Sequence, residues 1–138
     1  MHVVAGLTLK SLNPRVWDPT SPYFLPGVQA VMISYADFDK MAAARRKAMD
    51  VGLHSYLGVS DGVRIYLDNG AFYFLGRAGE TPRKEYEEFV AHAQPDWWPI
   101  PQDFIPTANM PHEDQLRCFT QTMEINLAYQ YDGYTPRG

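Results

Sequence analysis

Cysteine is nearly missing from this chain: Cys118 is the only one in 138 residues. That excludes an internal disulfide framework and a zinc site built on paired cysteines. Long apolar runs are missing too. None approaches the ~18 residues of a membrane span, so no membrane partner is expected. There is no excess of positive charge. The formal net charge is −4, so no global basic field draws the chain to nucleic acid, and backbone binding would need its cations gathered on one side. The N-terminal stretch MHVVAGLTLKSLNP lacks a basic segment followed by an apolar core, so it does not read as a secretion signal. The expected compartment is cytoplasmic. Fixed-period repeats and low-complexity tracts are absent.

What is present is a globular composition. Aromatic residues make up 14%, which favours a folded chain over a disordered one. The length suits one domain with a modest core, so residues 1–138 are read as a single domain. Residues 2–7, HVVAGL, suit a short strand. A proline-rich loop over 8–27 follows, punctuated by Pro14, Pro19, Pro22 and Pro26. Residues 28–34, VQAVMIS, read as a buried strand. Asp39 stands at an N-cap position, and Met41, Ala44, Ala48 and Val51 then fall at helical spacing before Gly52.

A second unit starts at VRIYLD. Val63, Ile65 and Leu67 point one way along a strand, and Arg64, Tyr66 and Asp68 the other. The loop NGAFYFLGRAGE leads to Thr81 as a helix cap with Pro82 at the first position. Tyr86, Phe89, Val90 and Ala93 make that helix's apolar stripe, and Pro95 ends it. In the third unit, WWPIPQDF, Pro99 and Pro101 argue against a regular central strand. A helix over 112–129 places Leu116, Phe119, Met123 and Leu127 on one face. Strands alternating with helices predict an α/β fold with parallel pairing. About four βα units make a small open sheet or half of an eight-unit barrel, which typically needs ~250 residues.

Ligand crevices in parallel α/β folds lie at the carboxyl ends of strands. Asp68 ends VRIYLD and Asp103 ends WWPIPQD, so two carboxylates are expected to face one pocket. Each admits a plainer reading. Asp68-Asn69-Gly70 is ordinary turn chemistry, and Asp103 suits a helical cap. Ser34, ending the second strand, is a weaker pocket candidate and otherwise a cap. The small residues Asn69, Gly70 and Ala71 leave room for a substrate to come close. His54, His92 and His112 lack ligand spacing, so no metal is expected. Trp97 and Trp98 read as core, with a nucleobase platform as the alternative. Arg45, Arg46 and Lys47 read as a solvated helix face. Arg77, Arg83 and Lys84 make a second basic cluster near the pocket-side loop.

LDNGAF, residues 67–72, resembles the aspartate-small-glycine-small-aromatic motif of the queuine/archaeosine tRNA-ribosyltransferases. PIPQDFIP, residues 99–106, followed by DQLRCFTQTMEINLAY, resembles the branch of that superfamily that inserts deazapurines in DNA, with Gln115 and Thr122 matching its spaced helix residues. The resemblance covers roughly residues 62–130 and implies the N-terminal half of a β/α barrel with parallel strands. It implies a transglycosylase module that exchanges guanine for a 7-deazapurine base in DNA or tRNA. Asp68 then matches the acid–base or nucleophilic aspartate, Phe72 the aromatic that stacks on the purine, and Asp103 the carboxylate that reads the heterocycle. A carboxylate accepts from guanine's N–H and amino group at once. Gln102 stands where it can read the neighbouring edge, with a solvated turn amide as its plainer role. The family's nucleophilic aspartate in the second half-barrel has no counterpart here. No cofactor is implied, and a family zinc site would lie downstream. The chain therefore suits a fragment, the first half of a split protein or a decayed copy, with self-association or a completing partner chain. Two other readings stand beside this one: a non-catalytic half-barrel that binds a nucleobase, nucleic acid or partner, and an unrelated hydrolase using Asp68 and Asp103.

Overall fold

A computed structural model describes residues 3–10, 15–77, 81–100 and 104–131. The strands among them are β1 (Val4–Gly6), β2 (Ala30–Ser34) and β3 (Arg64–Asp68). The helices are α1 (Tyr35–Lys40), α2 (Ala42–Val51), α3 (Leu53–Leu57), α4 (Ala71–Leu75), α5 (Arg83–Ala93) and α6 (His112–Tyr131). The fold is mixed α/β, as the alternation of patterns predicts. All strand pairs are parallel, and the spatial order β1-β2-β3 is the chain order. Trp97 adds a fourth position beside β3. It forms a parallel bridge with Tyr66, and its carbonyl accepts from the Leu67 amide at 2.9 Å. No regular strand forms among the described residues there, consistent with the prolines that follow.

The period-two pattern decides which sheet face is covered. Val31 and Ile33 of β2, with Ile65 and Leu67 of β3, are buried in one core with Phe38, Ala48, Leu53, Tyr86, Phe89 and Ala93 of the helices. The alternate residues Met32, Ser34, Tyr66 and Asp68 are only half-buried, and Arg64 is exposed. One face therefore carries the helical layer, and the other, apart from buried Ala30, is the less covered among the described residues. Parallel sheets normally bury both faces. The stripe of α5, Tyr86, Phe89, Val90 and Ala93, is wholly buried as its spacing predicts.

Several local expectations are corrected. The first helix starts at Tyr35, directly off β2, because Ser34 rather than Asp39 is the cap; its Oγ accepts from the Ala36 amide at 3.3 Å. A break at Met41 separates α1 from α2 and resets the helical phase. Met41 and Val51 are consequently exposed, and only Ala48 of the expected stripe is fully buried. Gly52 ends α2, yet α3 follows at once, with Leu53 and Leu57 in the core. The NGAFYFLGRAGE stretch contains α4. Pro82, not Thr81, takes the cap position of α5, and its own side chain makes no capping hydrogen bond. On α6 the expected apolar face, Leu116, Phe119, Met123 and Leu127, is exposed, whereas Cys118 and Tyr129 are buried. Tyr129 packs against Trp98, with ring centroids 6.3 Å apart, and Arg83 of α5 covers its ring at 4.5 Å. No helix among the described residues is long and apolar enough to cross a membrane.

Candidate functional site

The parallel register sets the carboxyl ends of β2 and β3 side by side: Ser34 pairs with Asp68. At that end opens a cleft of about 420 Å³. Met32 and Trp97 contribute from the open sheet face, Ile100 and Ile105 from the following segment, and Phe72 from α4. Its polar groups come from the turn after β3, Asp68 and Asn69. A mostly apolar concavity with few fixed polar groups is the usual form of a small-ligand site.

Asp68 is anchored through one oxygen. Its Oδ2 accepts from the Ser34 hydroxyl at 3.2 Å and from the Gly70 amide at 2.9 Å. Ser34 Oγ already accepts from the Ala36 amide, so its one proton is directed to Asp68. Oδ1 has no hydrogen-bond partner among the described residues. Asn69 repeats the turn one residue on, its Oδ1 accepting from the Ala71 amide at 3.0 Å. Asp68 thus makes the turn and also leaves an oxygen free at the cleft. The two readings of DNG coexist.

Gly70 is held inside this turn. Its φ is 75°, and a Cβ there would fall 2.7 Å from Ala36 Cβ. Glycine is required by close packing of the turn against the start of α1. Phe72 is 82% exposed, leaving its ring faces open to a ligand. Ser34 lies behind Asp68 as cap and hydrogen-bond donor. Gln102 and Asp103 lie outside the described residues. Ile100 and Ile105, before and after them in the chain, both line the cleft.

No protein-family model matches this chain, and a search of curated proteins finds no match to it. The site therefore rests on its own geometry.

The cleft also gathers residues that the sequence offered only in part: Trp97 as a nucleobase platform in place of core, Asn69 as a small residue of the turn, and Met32 not at all. Trp97 belongs to the cleft and stacks near Tyr66, with centroids 5.5 Å apart, while its neighbour Trp98 is core against Tyr86. Strand alternation carried that signal, since adjacent residues face opposite ways. Met32 shares the open face by the same rule. Asn69 is buried yet polar, a combination visible only after folding. Gln115 and Thr122 hold the segment before α6. Gln115 Nε2 donates to the Met110 carbonyl at 2.8 Å, and Thr122 Oγ1 to the Phe104 carbonyl at 3.5 Å. Among the described residues no three His, Cys, Asp or Glu side chains come together. His54 bridges Asp96 and the Val59 carbonyl, at 2.7 and 3.1 Å.

Proposed function

We propose that this chain supplies the base-binding wall and the acid–base carboxylate of a transglycosylase centre. The centre exchanges guanine for a 7-deazapurine base in DNA or tRNA, on a β/α barrel of which these parallel units form one part. The observation that carries the reading is Asp68: a carboxylate at a strand's carboxyl end, one oxygen anchored twice and the other free, beside the exposed ring of Phe72. The parallel sheet in chain order, helices on one face and an open opposite face, supports the barrel architecture.

In this reading a carboxylate attacks C1′ of the sugar and the C1′–base bond breaks. The base leaves with the bond's electron pair and takes a proton from Asp68. The incoming deazapurine returns its proton to Asp68 and displaces the carboxylate from C1′. Covalent catalysis of this kind splits one hard displacement into two easier ones. Withdrawing the purine from its stack costs a few kcal/mol, and stacking on Phe72 offsets ~1–3 kcal/mol of it. Asp103 and Gln102 read the base edge, and the attacking carboxylate comes from outside residues 1–138.

Labelled-guanine exchange into DNA and into tRNA, with and without candidate partner chains, tests this. Asp68→Asn should keep the thermal melt and lose exchange by ~10²–10⁴-fold, the usual worth of a general acid–base group. Wild-type exchange by the variant removes the catalytic assignment; a much lower melt makes Asp68 a turn residue alone. A second reading, a non-catalytic half-barrel that binds a base or a partner, is favoured by the open sheet face bearing Met32 and Tyr66. Base binding without exchange in every assembly would select it.

A further inference from the structure

Two cations meet over one ring beside the cleft. Lys40 Nζ lies 4.0 Å and the Arg77 guanidinium carbon 4.8 Å from the centroid of Tyr73. Their separation therefore cannot exceed the sum of those distances, about 9 Å, by the geometry of a shared cation–π ring. Both are exposed, and neither has a carboxylate partner among the described residues. Near Lys40 in sequence, Asp37 accepts from the Leu9 amide at 3.1 Å.

The position follows from the topology. Lys40 ends α1, which leaves β2 directly, and Arg77 follows α4, which leaves β3. Both therefore sit on segments leaving the strand ends that bear Ser34 and Asp68. Tyr73 adjoins Phe72, whose exposed ring lines the cleft. An open aromatic face next to unpaired cations is the arrangement that binds single-stranded polynucleotides, bases on the rings and backbone on the charges.

We propose that Lys40 and Arg77, held by Tyr73, contact the phosphodiester backbone of a polynucleotide beside the base that enters the cleft. The partner class rests on the function proposed above, but the contact is measured without the exchange reaction. Binding of fluorescent single-stranded DNA and RNA of one sequence is followed over a range of salt. Comparison is between wild type, the double variant Lys40→Gln/Arg77→Gln, and a charge-matched control, Arg46→Gln/Lys47→Gln, on the exposed face of α2. The slope of log affinity against log salt should become shallower by about 1.4 in the first variant, about 0.7 per lost contact on a single strand. The control should keep the wild-type slope, and all three should melt alike. Equal losses on DNA and RNA support a backbone contact common to both; loss on one alone supports the contact and identifies the source. No binding by wild type, an unchanged slope, or an equal change in the control overturns the proposal. Asp68→Asn separates the two ideas: a silent Asp68 with an altered slope sinks the exchange reading alone, and the converse sinks this one alone.

Discussion

Tyr35 and Tyr129 are almost completely removed from water in the folded chain. Burial pushes both phenols above their ordinary value of 10.0, and for Tyr129 the neighbouring Glu87 adds to the rise. The stability consequence has a definite sign. Below about pH 10 both phenols are neutral whether folded or unfolded, and their contribution is complete. Above it the unfolded chain releases protons that the folded chain retains, so stability falls as pH climbs toward the raised folded values. Urea melts at pH 8 and pH 11 should show this loss, and Tyr129→Phe should reduce it. An equal loss in that variant would place the alkaline transition elsewhere. At the site, residue identity was legible where one position carries both local and distant roles. Asp68 stood out because it ends an alternating strand. Its partner Ser34 lies 34 positions earlier, and no local pattern announces that hydrogen bond.

At the scale of elements, α6 shows how far periodicity reaches. Cys118, Thr122, Ile125 and Tyr129 fall on one face at helical spacing, and Leu116, Phe119, Met123 and Leu127 on the opposite face. Both are apolar enough to be the inner one. Packing of Tyr129 against Trp98 and of Ile125 against the core selects the first. Truncating half-buried Ile125 to Ala should therefore cost ~1–3 kcal/mol, within the usual range for a destabilising substitution. Met123→Gln should stay within about 0.5 kcal/mol, as exposed sites do. Chemical denaturation of the two variants decides it, and the reverse order would mean that α6 docks through its other face. On α5 no such ambiguity arose, since it carries one apolar stripe. The first helix was misplaced because Asp39 suits a cap as well as Ser34 does, and only the exit of the chain from β2 chooses between them.

For the whole molecule, the open sheet face and the sheet's two ends set behaviour in solution. β1 lies at one end and the Trp97 segment at the other, so each offers backbone groups for pairing. With the exposed stripe of α6, these are surfaces that proteins normally cover. The expected outcome is self-association, or dependence on a completing chain. Sedimentation velocity across a broad concentration range should show mass rising with concentration; a monodisperse, stable monomer throughout would refute it.

The amino-acid sequence by itself determined the elements whose signal is periodic and unopposed. The alternation of Val63, Ile65 and Leu67 with Arg64, Tyr66 and Asp68 assigned the two faces of β3, and the single stripe of α5 assigned its buried side. Such patterns are local, because backbone geometry alone turns spacing into direction. Tertiary structure decided what depends on chain segments meeting. It chose the buried face of α6, put Trp97 in the cleft and Trp98 in the core, and turned Ser34 into the anchor of Asp68. It also brought Lys40 and Arg77 to one ring. The physical reason is the parallel register, which places the ends of β2 and β3 together and so joins side chains that lie far apart along the chain.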